Sequence, residues 1–196
     1  MVFSSYIFIL AFLPTVLVFY YLLSKLKNGI YQRLFLIAAS LFFYGYYNCK
    51  YLLLITASIA VNYMLALYMQ KYRKQSRILL IIGILFNVGL IGWFKYYNFF
   101  IENINYIAGV DFVTKNIILP LGISFYTFQQ LSFLISVYEE EEKVEKFWDY
   151  CVFVTFFPQL VAGPIVLYSE MIPQFKDDRR RFLTLKTFLP DFIYLQ

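Results

Sequence analysis

The sequence contains no histidine among its 196 residues. Histidine is the most frequent general base and a common metal ligand, so a Ser–His dyad and an ordinary zinc site are excluded. The only two cysteines, Cys49 and Cys151, lack metal or redox spacing and are interpreted as inert thiols. No phosphate-binding or dinucleotide motif accompanies them. These 196 residues therefore offer no catalytic or metal-ligating residue, and we expect no bound cofactor.

Charge is also scarce. Charged residues make up 15% of the chain and hydrophobic residues 61%, whereas soluble domains average about 25% and 45–50%. Aromatic residues reach 22%, as in proteins whose rings collect at membrane interfaces. The composition therefore predicts an integral membrane protein, with lipid as its surroundings.

The net charge of +5 comes from short basic clusters between apolar runs. Such clusters are typical of loops on the cytoplasmic side of a membrane, so we expect no nucleic-acid partner. The two strongest clusters consist of Lys25, Lys27 and Arg33, and of Lys71, Arg73, Lys74 and Arg77.

Hydropathy predicts an all-α, polytopic fold with about five transmembrane helices, since a span needs about 20 apolar residues. The predicted spans are residues 6–23, 34–47, 51–69, 78–94 and 117–138. The first span has no preceding basic residue and no cleavage site, so we expect a retained anchor.

A sixth apolar segment, residues 147–168, has a different pattern. Asp149 lies near its start, and Pro158, Gly163 and Pro164 interrupt it. Prolines disrupt a helix interior, and irregular backbone at membrane depth persists only inside protein or beside a cavity. We therefore predict a broken or re-entrant segment at 156–165, and a structural or interfacial role for Asp149.

The loop charges predict an orientation in the plasma membrane. Loops 24–33, 70–77 and 139–146 fall on the cytoplasmic side, and the N-terminus and loop 98–116 fall outside. The basic tail is cytoplasmic only if the sixth segment does not cross. Residues 98–113 mix aromatic and amide side chains, which predicts an interfacial helix rather than a span.

Polar side chains follow one face of the fifth predicted span. Gln129, Ser132 and Ser136 share that face at 100° per residue. They either hydrogen-bond to neighbouring helices or line a polar substrate cavity. Ser58 and Asn62 form a similar stripe on the third span, which we interpret as packing.

Two longer motifs are distinctive: LPLGISFYTFQQ at residues 119–130 and FFPQLVAGPI at 156–165. Together with the opening MVFSS and with WFKYYNFF at 93–100, they resemble the membrane-bound O-acyltransferase family. The resemblance is closest to its bacterial branch of alginate O-acetylation proteins and D-alanyl transfer proteins of teichoic acid modification. It covers residues 1–175, as the N-terminal part of the family's domain, and residues 176–196 form an aberrant basic tail.

The resemblance implies a multispan enzyme that moves an acyl group, often acetyl, from a cytoplasmic donor such as acetyl-CoA or an acyl carrier. The acceptor is a hydroxyl on an extracytoplasmic polysaccharide, and a periplasmic or surface partner often completes the transfer. The family's catalytic histidine lies later in the chain, so no catalytic residue is assigned here. The motif positions that imply walls of the reaction chamber are Gln129, Gln130, Pro158, Gln159, Gly163 and Pro164.

Three functions stay open at this point. The first is an acyltransferase present as a truncated N-terminal part. The second is a noncatalytic membrane subunit that pairs with a second chain supplying the C-terminal half. The third is a small transporter built around the broken segment, although the sequence predicts no charge pair within the membrane.

Overall fold

The computed structural model describes residues 5–26, 29–160 and 166–176, and every regular element in them is helical. The predicted all-α class is therefore confirmed. A π-helical turn, Phe8–Phe12, leads into the first α-helix, and another, Gly92–Tyr96, joins the fourth and fifth. The α-helices are α1 (Leu13–Ser24), α2 (Ile30–Tyr47), α3 (Lys50–Lys71), α4 (Ser76–Ile91), α5 (Tyr97–Ala108), α6 (Ile123–Tyr138), α7 (Phe147–Thr155), α8 (Phe157–Leu160) and α9 (Tyr168–Lys176).

The helical run through α4 and α5 is longer than predicted. Arg73–Ala108 forms one continuous stretch of 36 residues, because no proline or left-handed glycine interrupts it. It ends at Gly109, whose φ of 63° is the usual left-handed helix cap. A helix at 97–108 is thus present and continues α4 instead of standing apart, and its interfacial position stays a prediction.

Helix α6 begins later than predicted. The fifth span was expected from residue 117, but the chain becomes helical only at Ile123. Pro120 precedes a turn, and Gly122 adopts a left-handed φ of 67°. A Cβ on Gly122 would also collide with the carbonyl oxygen of Leu160. Only glycine fits this junction between α6 and α8.

Two helices in the described residues are long and apolar enough to cross a membrane, namely Lys50–Lys71 and Arg73–Ala108, and Phe8–Ser24 is a shorter apolar run. Their outer faces carry large exposed apolar side chains, such as Leu53 at 77% and Leu85 at 66% exposure. Such faces are suited to lipid rather than water. The structure therefore fits a helical membrane protein.

The basic loops that the sequence assigned to one side meet at one end of the bundle. Arg73 donates to the carbonyl oxygen of Val137 at 2.8 Å, and the Val144 amide donates to Gln70 at 2.7 Å. This end carries the first turns of α2 and α7 and the last turns of α3 and α6. We call it the Arg33 rim, after the arginine in the first turn of α2. These loops therefore lie at the same end of the bundle, as their predicted placement on one side of the membrane requires.

The aromatic side chains form the core between α6 and the sixth segment. Tyr126, Phe133, Tyr150 and Phe153 are almost fully buried. Phe133 lies 4.8 Å from the Tyr150 ring and 4.7 Å from the Tyr168 ring, measured between centroids. Ring contacts of this kind add to the burial of apolar area. They hold α7 and α9 against α6.

Candidate functional site

The predicted break in the sixth segment is confirmed. Helix α7 ends at Thr155, and Phe156 adopts φ −51° and ψ 105°, outside the helical region. The next amide, that of Phe157, donates to the buried Ser40 hydroxyl of α2 at 3.2 Å. A side chain from a neighbouring helix thus satisfies a backbone group freed by the break, as a low-dielectric interior requires.

The path from the sixth segment through α9 begins and ends at the same rim. Phe147 starts α7 at the Arg33 rim, and α9 ends at Lys176, whose ammonium pairs with Glu145. The Lys176 nitrogen also lies 3.7 Å from an oxygen of Asp149. Residues 147 and 176 are therefore close together, as the ends of a re-entrant segment must be.

A buried ion pair joins α2 to α7. The Arg33 guanidinium bonds one carboxylate oxygen of Asp149, and the two side chains are 14% and 1% exposed. Asp149 lies in the first turn of α7, where the helix dipole favours a negative charge. The predicted structural role of Asp149 fits this pairing.

The sequence analysis missed this ion pair. It assigned Arg33 to a loop, but Arg33 lies in the first turn of α2. Because the pair lies in the first turns of α2 and α7, at the end of the bundle, the expectation of no charge pair within the membrane stays a prediction. The available signal was a basic residue at the end of a loop, Arg33, and an acidic residue just inside a later apolar run, Asp149. The two residues are 116 positions apart in the chain, and only the fold brings them together.

The surroundings of this pair alter nearby titrating groups. Burial lowers the pKa of Lys176, and the positive charge of Arg33 lowers it further, while Glu142 opposes the change. Burial raises the pKa of Tyr168, and the Asp149 carboxylate adds to the increase.

A second polar cluster, which we call the amide network, lies inside the bundle of α3, α4 and α6. It consists of Ser58, Asn62, Asn87 and Gln130, all at 0–1% exposure. Asn87 donates to Asn62 at 2.6 Å, and Asn62 donates back to Asn87 at 3.3 Å. Gln130 accepts from Asn62 and, at 3.1 Å, from the Ser58 hydroxyl. The network ties three helices together.

Gln130 hydrogen-bonds to α3 in this network. The interpretation of the predicted stripe of Gln129, Ser132 and Ser136, as helix contacts or as a cavity wall, stays open. Asn87 was missed, although an isolated amide in the apolar run of α4 was a usable signal. The side-chain amide oxygen Oε1 of Gln129 is buried and has no hydrogen-bond partner in the described part of the chain.

The candidate chamber residues fall into two neighbourhoods. Gln129 and Gln130 are buried in α6, whereas Pro158 is exposed and lines an apolar cavity of about 260 Å³. Gln159 lines a second cavity of about 320 Å³. Neither of these cavities is lined by Gln129 or Gln130. Gly163 and Pro164 lie outside the described residues, so the chamber assignment stays a prediction.

No acid–base pair suited to acyl transfer emerges from the described helices. Their only buried carboxylate is Asp149, which Arg33 neutralises. The same ranges contain no group of three His, Cys, Asp or Glu side chains that could hold a metal ion. The arrangement builds a helical frame with polar junctions, and its long apolar helices fit the class of helical membrane proteins.

Comparison with known proteins narrows this class. The chain is 39% identical to a peptidoglycan O-acetyltransferase of Helicobacter pylori, over 95% of this chain and 41% of the relative. It is 36% identical to a probable alginate O-acetylase of Pseudomonas aeruginosa, over 89% of this chain and 34% of the relative. A probable alginate O-acetylase of Azotobacter vinelandii is 37% identical over 89% of this chain and 36% of its own length.

The chain therefore resembles the membrane-bound O-acyltransferase family, as these relatives confirm. It spans only 41%, 34% and 36% of the lengths of these three relatives. No family model matches the chain, and no solved structure matches it.

Proposed function

We propose that this chain is part of a plasma-membrane O-acetyltransferase that modifies hydroxyl groups of an extracytoplasmic polysaccharide, such as peptidoglycan or alginate. The observation that carries the proposal is the 39% identity to a peptidoglycan O-acetyltransferase, which extends over 95% of the chain. Relatives named for alginate acetylation match nearly as much of the chain. The shared chemistry of these names is acetyl transfer to a sugar hydroxyl.

We further propose a multi-pass topology with five spans, formed by α1, α2, α3, α4 with α5, and α6. Residues 147–176 then form a re-entrant segment. The contact of Lys176 with Glu145 supports this, since both ends of the segment lie at the Arg33 rim. The basic residues of that rim assign it to the cytoplasm by the positive-inside rule.

Within such an enzyme, these residues would form the frame rather than the catalytic base. The absence of histidine from all 196 residues supports this division. The acetyl donor, acetyl-CoA or an acyl carrier, would approach from the Arg33 rim. The walls of the chamber would come from Gln129, Gln130, Pro158, Gln159, Gly163 and Pro164. A periplasmic or surface protein would complete delivery to the polysaccharide.

The test is an acetyl-transfer assay on membranes that contain this chain, with labelled acetyl donor and either peptidoglycan or alginate as acceptor. We expect no transfer by the chain alone, and transfer once the downstream coding region, supplying a histidine, is expressed in the same polypeptide. Activity only with a separately encoded second chain would instead identify a noncatalytic subunit. Transfer by the histidine-free chain alone would contradict the proposal.

A further inference from the structure

Helix α5 and the chain that follows it form a hairpin. The amide side chain of Asn105 donates to and accepts from the backbone of Phe112, at 2.8 and 2.9 Å. Asn98 holds the backbone of Lys115 in the same way, at 2.7 and 3.0 Å. Asn98 and Asn105 are two turns apart on α5, a rise of about 10 Å, which three residues of extended chain also cover. Residues 112–115, which we call the strap, therefore run antiparallel along one face of α5.

Another face of α5 is apolar and uncovered. None of the described residues of α5 is buried. Phe100, Ile104 and Ile107 lie on one side of the helix, at 56%, 45% and 82% exposure. We call these three residues the α5 stripe. Glu102, which is the one charged residue of α5 and is exposed, projects from the opposite side at 100° per residue. A helix with this division of side chains is suited to a boundary between lipid and water.

Both ends of the hairpin lie at one level of the bundle. The ring of Phe94 lies 6.0 Å from that of Tyr51, in the first turn of α3, and the Tyr51 hydroxyl donates to the carbonyl oxygen of Ile118. Gln70, in the last turn of α3, lies at the Arg33 rim. Between Tyr51 and Gln70 helix α3 rises about 29 Å, close to the hydrocarbon thickness of about 30 Å. The hairpin therefore begins and ends where the bundle leaves the hydrocarbon core, and the adjoining medium is the membrane interface.

The turn that joins α4 to α5 has the geometry of a bend. Gly92–Tyr96 is π-helical, and Tyr96 leaves the helical conformation, with φ −114° and ψ 0°. Turns of this kind are among the usual sites of bends in long helices. A straight helix from Ser76 to Ala108 would measure about 50 Å, exceed the whole bilayer of about 40–45 Å and carry Ile107 into water. A bend at this turn instead keeps the α5 stripe beside lipid.

The side chains around the turn are typical of an interface. The Lys115 ammonium lies 5.0 Å from the centre of the Trp93 ring and 5.2 Å from that of Tyr97. Tryptophan and tyrosine collect at the level of the lipid head groups, and lysine keeps its charge in water above an apolar surface. The strap thus contributes a cation, and the turn contributes the aromatic rings.

We propose that α5 and the strap lie along the membrane interface at the end of the bundle opposite the Arg33 rim, with the α5 stripe inserted among lipid acyl chains and Glu102 directed to water. The occupant of the stripe is the bilayer itself and not a partner protein. The inference requires only that α3 crosses the membrane, and it does not depend on acetyl transfer.

The experiment measures the depth of single fluorescent labels in lipid vesicles that contain the full chain. Ile107→Cys and Glu102→Cys are each made in a Cys49→Ser chain, whose remaining Cys151 is buried, and are labelled with a nitrobenzoxadiazole dye. Quenching by lipids with a doxyl group near the head group is compared with quenching by aqueous iodide. We expect the lipid to quench the label at position 107 several-fold more strongly than at 102, and iodide to show the reverse order. Both positions are exposed, so both variants should fold.

Leu85→Cys is the matched reference, because Leu85 is 66% exposed on the apolar face of α4. Its label should be protected from iodide and quenched best by a doxyl group deep in the acyl chain. Equal iodide quenching at positions 107 and 102 would show that the stripe stands in water, and protection of position 107 from both quenchers would show that protein covers it. Either result would overturn the proposal. Iodide quenching at position 85 would instead overturn the membrane embedding on which the inference rests.

Discussion

The amide network and the Arg33 rim hold helices together by different chemistry. Inside the bundle, Asn62, Asn87 and Gln130 are neutral and hydrogen-bond to one another across three helices. At the rim, Arg33 and Asp149 carry full charges, and Asp149 is 1% exposed. Neutral amides lose little when unpaired in lipid, whereas a buried charge without its partner is costly. The comparison teaches that the attachment of α7 to α2 is the more vulnerable of the two.

The largest effect should follow from breaking the ion pair. Arg33→Met leaves the buried Asp149 carboxylate with only the partly exposed Lys176 ammonium, 3.7 Å away, as a counter-charge. This should lower the free energy of unfolding by up to about 3–5 kcal/mol. Unfolding in mixed detergent micelles, followed by tryptophan fluorescence, measures it. The double variant Arg33→Met with Asp149→Leu should recover most of the loss. If the double variant is as unstable as the single one, charge is not the cause.

The next effect concerns Gly122, at the junction between α6 and α8. Gly122→Ala introduces a left-handed alanine, costing about 1–2 kcal/mol, and adds a collision with the Leu160 carbonyl oxygen. Gly109→Ala is the matched control, because Gly109 has a φ of 63° but nothing within 4 Å of the added carbon. Thermal unfolding should show the larger loss for Gly122→Ala, and equal losses would exclude the collision.

Disrupting the amide network should cost less. Asn62→Leu removes the hydrogen bonds to Asn87 and Gln130, and such bonds between membrane helices average about 0.6 kcal/mol, with a maximum near 1.7. We therefore expect a loss of about 1–2 kcal/mol in the same unfolding assay. Asn103→Leu is the control, since exposed Asn103 bonds only the backbone of its own helix. A loss for Asn62→Leu as large as that of Arg33→Met would reverse the comparison.

The smallest effect is expected at the break in the sixth segment. Ser40→Ala removes the hydroxyl that accepts from the Phe157 amide, which should cost about 1 kcal/mol. Thr56→Ala is a suitable control, because the Thr56 hydroxyl is exposed and bonds only its own helix. Hydrogen exchange at the Phe157 amide should accelerate in Ser40→Ala alone. An unchanged exchange rate would show that the Ser40 hydroxyl does not hold the Phe157 amide in place.

Sequence reasoning could predict features that depend on local composition. The apolar runs predicted most helices, and Pro158, Gly163 and Pro164 indicated the break, because periodicity and proline act over a few residues. The start of α6 was predicted six residues early, since apolar side chains at 117–122 mask the conformations of Pro120 and Gly122. Hydropathy alone does not report backbone strain.

The polar contacts required the tertiary structure. The Arg33–Asp149 pair and the Asn62–Gln130 bond join residues separated by 116 and 68 positions. Each residue alone has an ordinary interpretation, as a loop charge or a packing amide, and only helix packing selects its partner. The chamber residues were proposed from resemblance. The described structure places them in two neighbourhoods. Gln129 and Gln130 are buried in α6, and Pro158 and Gln159 line the cavities beside the break.

The measurement that tests the account most directly is the side of the membrane reached by each end of the sixth segment. Single cysteines replace Glu141 and Gln174, both exposed, in a chain whose exposed Cys49 is changed to serine. A membrane-impermeant maleimide is applied to intact cells and to inverted vesicles. We expect both cysteines to react only in inverted vesicles, as a re-entrant segment at the cytoplasmic Arg33 rim requires. Reaction from opposite sides would show that the segment crosses the membrane and would contradict the account.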